Sequence, residues 1–134
     1  MIKVMVVDNE QGMTDLLTMI IKDLGYDVVG VTDPFVAEKE IDDFMPDLIL
    51  LDVIMNGPTG IDILGRVKKK YPQMKVLMMS VAISPYRERF MEESFALGAD
   101  KYWDKAFVEG GAREVQNVVK EYADKILEEK KNKG

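Results

Sequence analysis

The sequence has no cysteine and no histidine among its 134 residues. Without thiols there can be no disulfide, no thiolate metal site and no cysteine nucleophile. Without imidazole there can be no histidine-assisted triad and no phosphohistidine within the chain. A hard cation held by oxygen ligands remains open. Aromatic residues are scarce at 8%, with Trp103 the sole tryptophan. No apolar run approaches the ~20 residues that span a bilayer. No segment has the layout of a signal peptide, so the expected setting is cytoplasmic, away from membranes. Positive charge is in the minority, with 18 Lys and Arg against 24 Asp and Glu and a net charge of −6. Such a chain repels nucleic acid unless it carries a basic stripe. Lys68, Lys69 and Lys70, and the lysines at 130, 131 and 133, read as solvated helix surface or tail, so no direct nucleic-acid binding is expected.

What is present is an alternation of short apolar runs with helix-period stretches, repeated five times. Ile2 to Val7 is a β-branched run, followed at helical spacing by Met13, Leu16, Leu17, Ile20, Ile21 and Leu24, with Gly25 as a natural helix end. Val28, Val29 and Val31 predict a second strand. Asp33-Pro34 reads as an N-cap and first-turn proline ahead of Ala37, Ile41 and Phe44, and Pro46 stops that helix. Leu48 to Leu51 is apolar at every position, as in a strand buried on both faces. A third helix carries Ile61, Leu64, Val67 and Tyr71. A fourth strand spans Val76 to Met79, a fourth helix runs from Pro85 to Leu97, and a fifth strand from Lys101 to Trp103. Ala112, Val115, Val119, Tyr122 and Ile126 stripe a last helix, which is expected to fray into a charged tail. The stripe permits dimerisation, but packing on the sheet is the favoured reading.

Alternation of this kind implies right-handed crossovers and a parallel sheet covered on both faces. The expected fold is α/β, a flavodoxin-like three-layer sandwich with five parallel strands in the order 2-1-3-4-5, and a functional site at their carboxyl ends. The expected boundaries are a domain over 1–127 and a charged tail over 128–134. The predicted strand ends deliver Asp8, Asn9 and Glu10, then Asp52, then Ser80, and after the fifth strand Lys105. Singly, each has a plain reading: helix caps at Asp8 and Asn9, a loop hydroxyl at Ser80, a surface amine at Lys105. Asp52 is harder to dismiss, because a carboxylate at the mouth of a buried strand is costly unless it serves a cation or a reaction. Together the set suits phosphoryl transfer: a carboxylate nucleophile, oxygens for a cation, a hydroxyl and an ammonium.

In these segments the chain resembles the receiver domain of two-component response regulators, over essentially its whole length. The resemblance rests on Val6-Val7-Asp8-Asn9-Glu10; on Leu50-Leu51-Asp52 with Met55, Gly60 and Leu64; on Ser80; and on Gly98-Ala99-Asp100 leading to Tyr102 and Lys105-Ala106-Phe107. It implies that Asp52 accepts a phosphoryl group from a histidine kinase or phosphotransfer protein. It implies Mg2+ (or Mn2+) held by Asp8, Asn9, Asp52 and the backbone carbonyl of Ile54. Lys105 and Ser80 would hold the phosphoryl oxygens. Tyr102 would turn inward and reshape the surface of the fourth helix, fifth strand and fifth helix for a downstream protein target. Such a chain is a phosphoacceptor and not a turnover enzyme, working as a monomer or as a dimer formed on phosphorylation. It acts alone by protein contact or belongs to a longer regulator.

Several residues depart from the family pattern. Asn9 stands where a second acid is usual, which removes a formal charge and should weaken metal binding. Ala106 follows Lys105 in place of proline. A cis bond there would cost about 2.5–4 kcal/mol, so trans is expected. Asn56 also replaces a proline, ahead of the atypical Gly57-Pro58-Thr59 loop, and Val81 is larger than the usual residue after the hydroxyl. These changes favour one alternative, a degenerate receiver acting as a binding or dimerisation module without phosphorylation. A magnesium-dependent phosphohydrolase would want a second Asp at the position of Ile54. A flavin-binding protein would want a less acidic first turn.

Overall fold

The computed structural model describes residues 1–55, 57–80, 85–104 and 111–133. Five strands alternate with five helices: β1 (Lys3–Val7), α1 (Gln11–Lys22), β2 (Asp27–Val31), α2 (Ala37–Phe44), β3 (Leu48–Asp52), α3 (Gly60–Lys70), β4 (Lys75–Ser80), α4 (Arg87–Ala96), β5 (Lys101–Asp104) and α5 (Ala112–Lys133). All pairings are parallel, in the order β2-β1-β3-β4-β5, as the sequence predicts.

Period-two alternation along the strands splits the core. Val4, Val6, Leu48, Leu50, Leu77, Met79 and Trp103 face α1 and α5. Met5, Val7, Ile49, Leu51, Val76, Met78 and Tyr102 face α2, α3 and the underside of α4. β3 is buried at every position because it is covered on both faces, which is why it reads as an unbroken apolar run. The stripe on α5 packs into the first core through Val115, Val119, Tyr122 and Ile126, so that face is occupied by the sheet. Gln116 reinforces the packing by donating its side-chain amide to the carbonyl of Ile20 at 3.1 Å.

Three local details differ from the sequence expectation. Asp33 does not cap a regular helix. Its carboxylate accepts the amide of Phe35 at 2.9 Å in a tight turn, and α2 begins only at Ala37. α1 starts at Gln11 with Glu10 as its N-cap, so neither Asp8 nor Asn9 caps it. α5 continues through the charged segment to Lys133, held by Lys75 to Glu129 at 2.8 Å and Lys130 to Asp47 at 2.7 Å.

Candidate functional site

The carboxyl ends of the central strands gather the polar residues that the core otherwise excludes. β1 and β3 pair with Val7 opposite Leu51. The next residues, Asp8 and Asp52, therefore emerge side by side at about one strand spacing, roughly 4.8 Å between backbones. Both are buried, at 0% and 2% exposure. Asp8 is fixed on three sides. Its amide donates to the carbonyl of Val31 at 3.1 Å, its own carbonyl accepts the Thr14 hydroxyl at 2.8 Å, and its carboxylate accepts the Glu10 amide at 2.9 Å. Asp52 accepts the amide of Ile54 at 3.3 Å. Its backbone carbonyl lies against Gly60, where a Cβ would overlap it. The amide of Gly60 bonds the carbonyl of Val53 at 2.9 Å, and the Thr59 hydroxyl accepts the Asp62 amide at 3.2 Å as the N-cap of α3. The loop that leaves Asp52 is thereby tied back beneath it.

Ser80 closes β4 and is buried, in register with Asp104 of β5. Tyr102 points inward, with 9% of its surface exposed. Burial pushes its phenol above the usual range, and the nearby charges of Asp104 and Asp52 act in the same direction, while Ser80 and Arg87 oppose the shift. The hydroxyl stands near Ser80 yet makes no hydrogen bond of good geometry. Two buried carboxylates on adjacent strands repel each other when ionised, and a cation between them removes that repulsion. The donor set therefore fits a hard divalent ion that completes its shell with water. Asn9 is exposed, and among the described residues no three acidic side chains converge on one point. Ile54, two residues beyond Asp52, is half exposed. Lys105, Ala106, Phe107, Val81 and Asn56 lie outside the described residues.

The profile described as the response regulator receiver domain matches residues 4–118. The chain belongs to that family. A CheY-like receiver domain protein from Methanospirillum hungatei is similar at 23% identity, covering 96% of this chain and 98% of its own, with a TM-score of 0.86. The receiver domain of NtrX from Brucella abortus is similar at 26% identity over 90% of this chain and 98% of its own, with a TM-score of 0.79. NtrX from the same organism in complex with ADP matches 99% of this chain but only 30% of its own length.

Two features beside these strand ends were not singled out by sequence reasoning. Thr14 shares the buried stripe of α1 with Leu17 and Ile21 at i, i+3 and i+7. That spacing was the available signal, and a hydroxyl among leucines marks a position with a backbone to hold. The pairing of Arg87 with Asp104 joins residues seventeen apart through tertiary approach and leaves no sequence signal.

Proposed function

We propose that the chain is a phosphoacceptor switch: Asp52 takes a phosphoryl group from the phosphohistidine of a histidine kinase or phosphotransfer protein, in a reaction dependent on Mg2+ or Mn2+. The observation that carries this reading is the pair of buried carboxylates, Asp8 and Asp52, on neighbouring strand ends beside Ser80 and Tyr102. A carboxylate oxygen of Asp52 attacks phosphorus in line, an O–P bond forms, and the N–P bond of the donor breaks with its electron pair returning to the donor imidazole. Asp8, Asp52, the carbonyl of Ile54 and Asn9 would hold the divalent ion, which would neutralise charge on the phosphoryl oxygens. The Ser80 hydroxyl donates to one phosphoryl oxygen and Lys105 pairs with another. Tyr102 then biases the α4–β5–α5 surface toward a downstream protein. Residues 1–127 form the switching unit, with 128–134 as its charged tail. The setting is cytoplasmic, and the unit works as a monomer or as a dimer formed on phosphorylation.

The test is the intact mass after incubation with acetyl phosphate and Mg2+. One phosphoryl increment is expected on the wild type and none on Asp52→Asn, because an amide is a poor nucleophile. An increment that survives in the mutant would move the acceptor elsewhere.

A second reading, a receiver fold that binds partners without phosphorylation, draws on the exposure of Asn9 and the lack of a third converging acid among the described residues. Beryllofluoride separates the two, since a scaffold leaves its spectra unchanged. The phosphohydrolase alternative is disfavoured because Ile54 supplies no proton to a leaving group.

A further inference from the structure

Arg87 opens α4, and Asp104 closes β5. The two meet in a fork: Nε donates to Oδ1 at 2.9 Å and an Nη donates to Oδ2 at 3.1 Å. Two parallel bonds fix the plane of the guanidinium as well as its position. A cation in the first turn of a helix sits at the positive end of the macrodipole, so α4 itself does not favour Arg87 there. Asp104 supplies the compensating charge from the neighbouring strand. The guanidinium so placed lies over the ring of Tyr102, 6.0 Å from its centroid. Arg87 is partly exposed while the ring beneath it is buried, so the guanidinium stands between Tyr102 and solvent.

The tyrosine hydroxyl gives little reason for the ring to stay inside. Among the described residues it makes no hydrogen bond, and a buried hydroxyl without a partner is unfavourable. The inward position is held by the apolar packing of the ring in the second core and by what covers the ring on its outer side.

We propose that Arg87 and Asp104 form a latch that keeps Tyr102 inward before any phosphoryl group arrives, which makes Arg87 a positioning residue for the switch. This rests on the reading of Tyr102 as the switch residue. The consequence is a shifted equilibrium. Where the inward form is already populated, a phosphoryl group needs to supply less of the bias. Opening the latch lowers the competent fraction and slows phosphorylation by acetyl phosphate in the same proportion.

The experiment is fluorine NMR on the full chain labelled with fluorotyrosine, the Tyr102 resonance being assigned by its loss in Tyr102→Phe. In the wild type the resonance is expected to stand apart from that of solvated tyrosine before any addition, and to move further in the same direction with beryllofluoride and Mg2+. Arg87→Gln and Asp104→Asn should each move it toward the solvated position. The charge exchange Arg87→Asp with Asp104→Arg should bring it part of the way back. Phosphorylation of the single variants should slow by about threefold to tenfold. A resonance unchanged in both single variants would overturn the latch, as would a charge exchange that restores nothing. Should Arg87→Gln fail to fold, Arg87→Lys keeps the charge without the fork, and an unshifted resonance there counts against the proposal. The comparison without beryllofluoride needs no phosphoryl chemistry. A wild type that takes no phosphoryl group but loses its inward resonance in Arg87→Gln therefore refutes the phosphoacceptor reading and leaves the latch standing.

Discussion

At the scale of single residues, the end of β3 depends on a glycine that carries no chemistry. The first residue of α3 lies so close to Asp52 that a Cβ on Gly60 would overlap the Asp52 carbonyl and crowd Val53 Cα at 2.9 Å. Both obstacles are backbone, so no flexible side chain can swing away. Gly60→Ala is expected to destabilise the fold by about 2–4 kcal/mol, read as a lower urea midpoint at unchanged slope. Because the strain falls on the peptide group of Asp52, the proposed acceptor, phosphorylation of the folded fraction should slow as well. Ser94 makes the opposite case. It is fully buried on α4, and among the described residues its hydroxyl has no hydrogen-bond partner. Ser94→Ala removes an unpaid desolvation and should raise stability by about 1 kcal/mol, with a higher urea midpoint as the readout. A loss of stability instead would mean that the hydroxyl is bonded in solution.

At the scale of elements, helix ends divide what a sequence can tell from what it cannot. Gly25 after α1 takes φ 86, as its position after the last periodic residue implies. α2 ends at Met45, a left-handed residue at φ 53 that no local rule singles out; Pro46 behind it signals the stop. Asp33-Pro34 shows the limit of such signals. The same residues that start a helix also close a tight turn, and here the turn buries Pro34 and delivers Ala37 to the core as the first residue of α2. The end of α5 is a second such case. Its charged residues read as a tail because nothing apolar follows Ile126 at core spacing. Their partners, Lys75 and Asp47, are held in place by other elements and are invisible in a local window. Lys75 also lies 3.9 Å from Asp100, and Asp47 accepts the Lys3 amide at 2.9 Å, so both keep partners without α5. Removing residues 128–134 is therefore expected to cost no more than about 1 kcal/mol in a thermal melt. Ile126→Ala one turn earlier should cost about 2–4 kcal/mol, because it opens the core. Equal losses would show that the ion pairs, and not the apolar stripe, hold the end of the helix.

At the scale of the whole molecule, the layer order and strand order were legible because burial on both faces leaves its mark along every central strand. Asp8, Asp52 and Ser80 were legible as the residues where those apolar runs stop. What the layers do to titration is a property of the fold alone. Four of the five tyrosines are displaced in one direction. Burial is the main cause at Tyr26, Tyr102 and Tyr122, with nearby carboxylates adding to it, whereas at Tyr71 the leading cause is the hydrogen bond to Asp42. Each phenol therefore ionises above 10.0 in the folded chain, while the unfolded chain ionises near that value. A raised folded value means that the native state holds its proton longer. Its contribution to stability is complete below pH 10 and is withdrawn as pH rises through the folded values. Lys75 is displaced upward as well, first by its hydrogen bond to Glu129, and loses its contribution in the same alkaline direction. The chain should consequently resist alkali and then unfold cooperatively, with tyrosinate absorbance rising in step with the loss of far-ultraviolet circular dichroism. Tyr102→Phe and Tyr122→Phe should each reduce the steepness of that step, since each removes one proton from the linkage. A gradual titration centred on pH 10 with the circular dichroism intact would mean that these phenols are solvated in the native state, and would place Tyr102 outside the core rather than beneath Arg87.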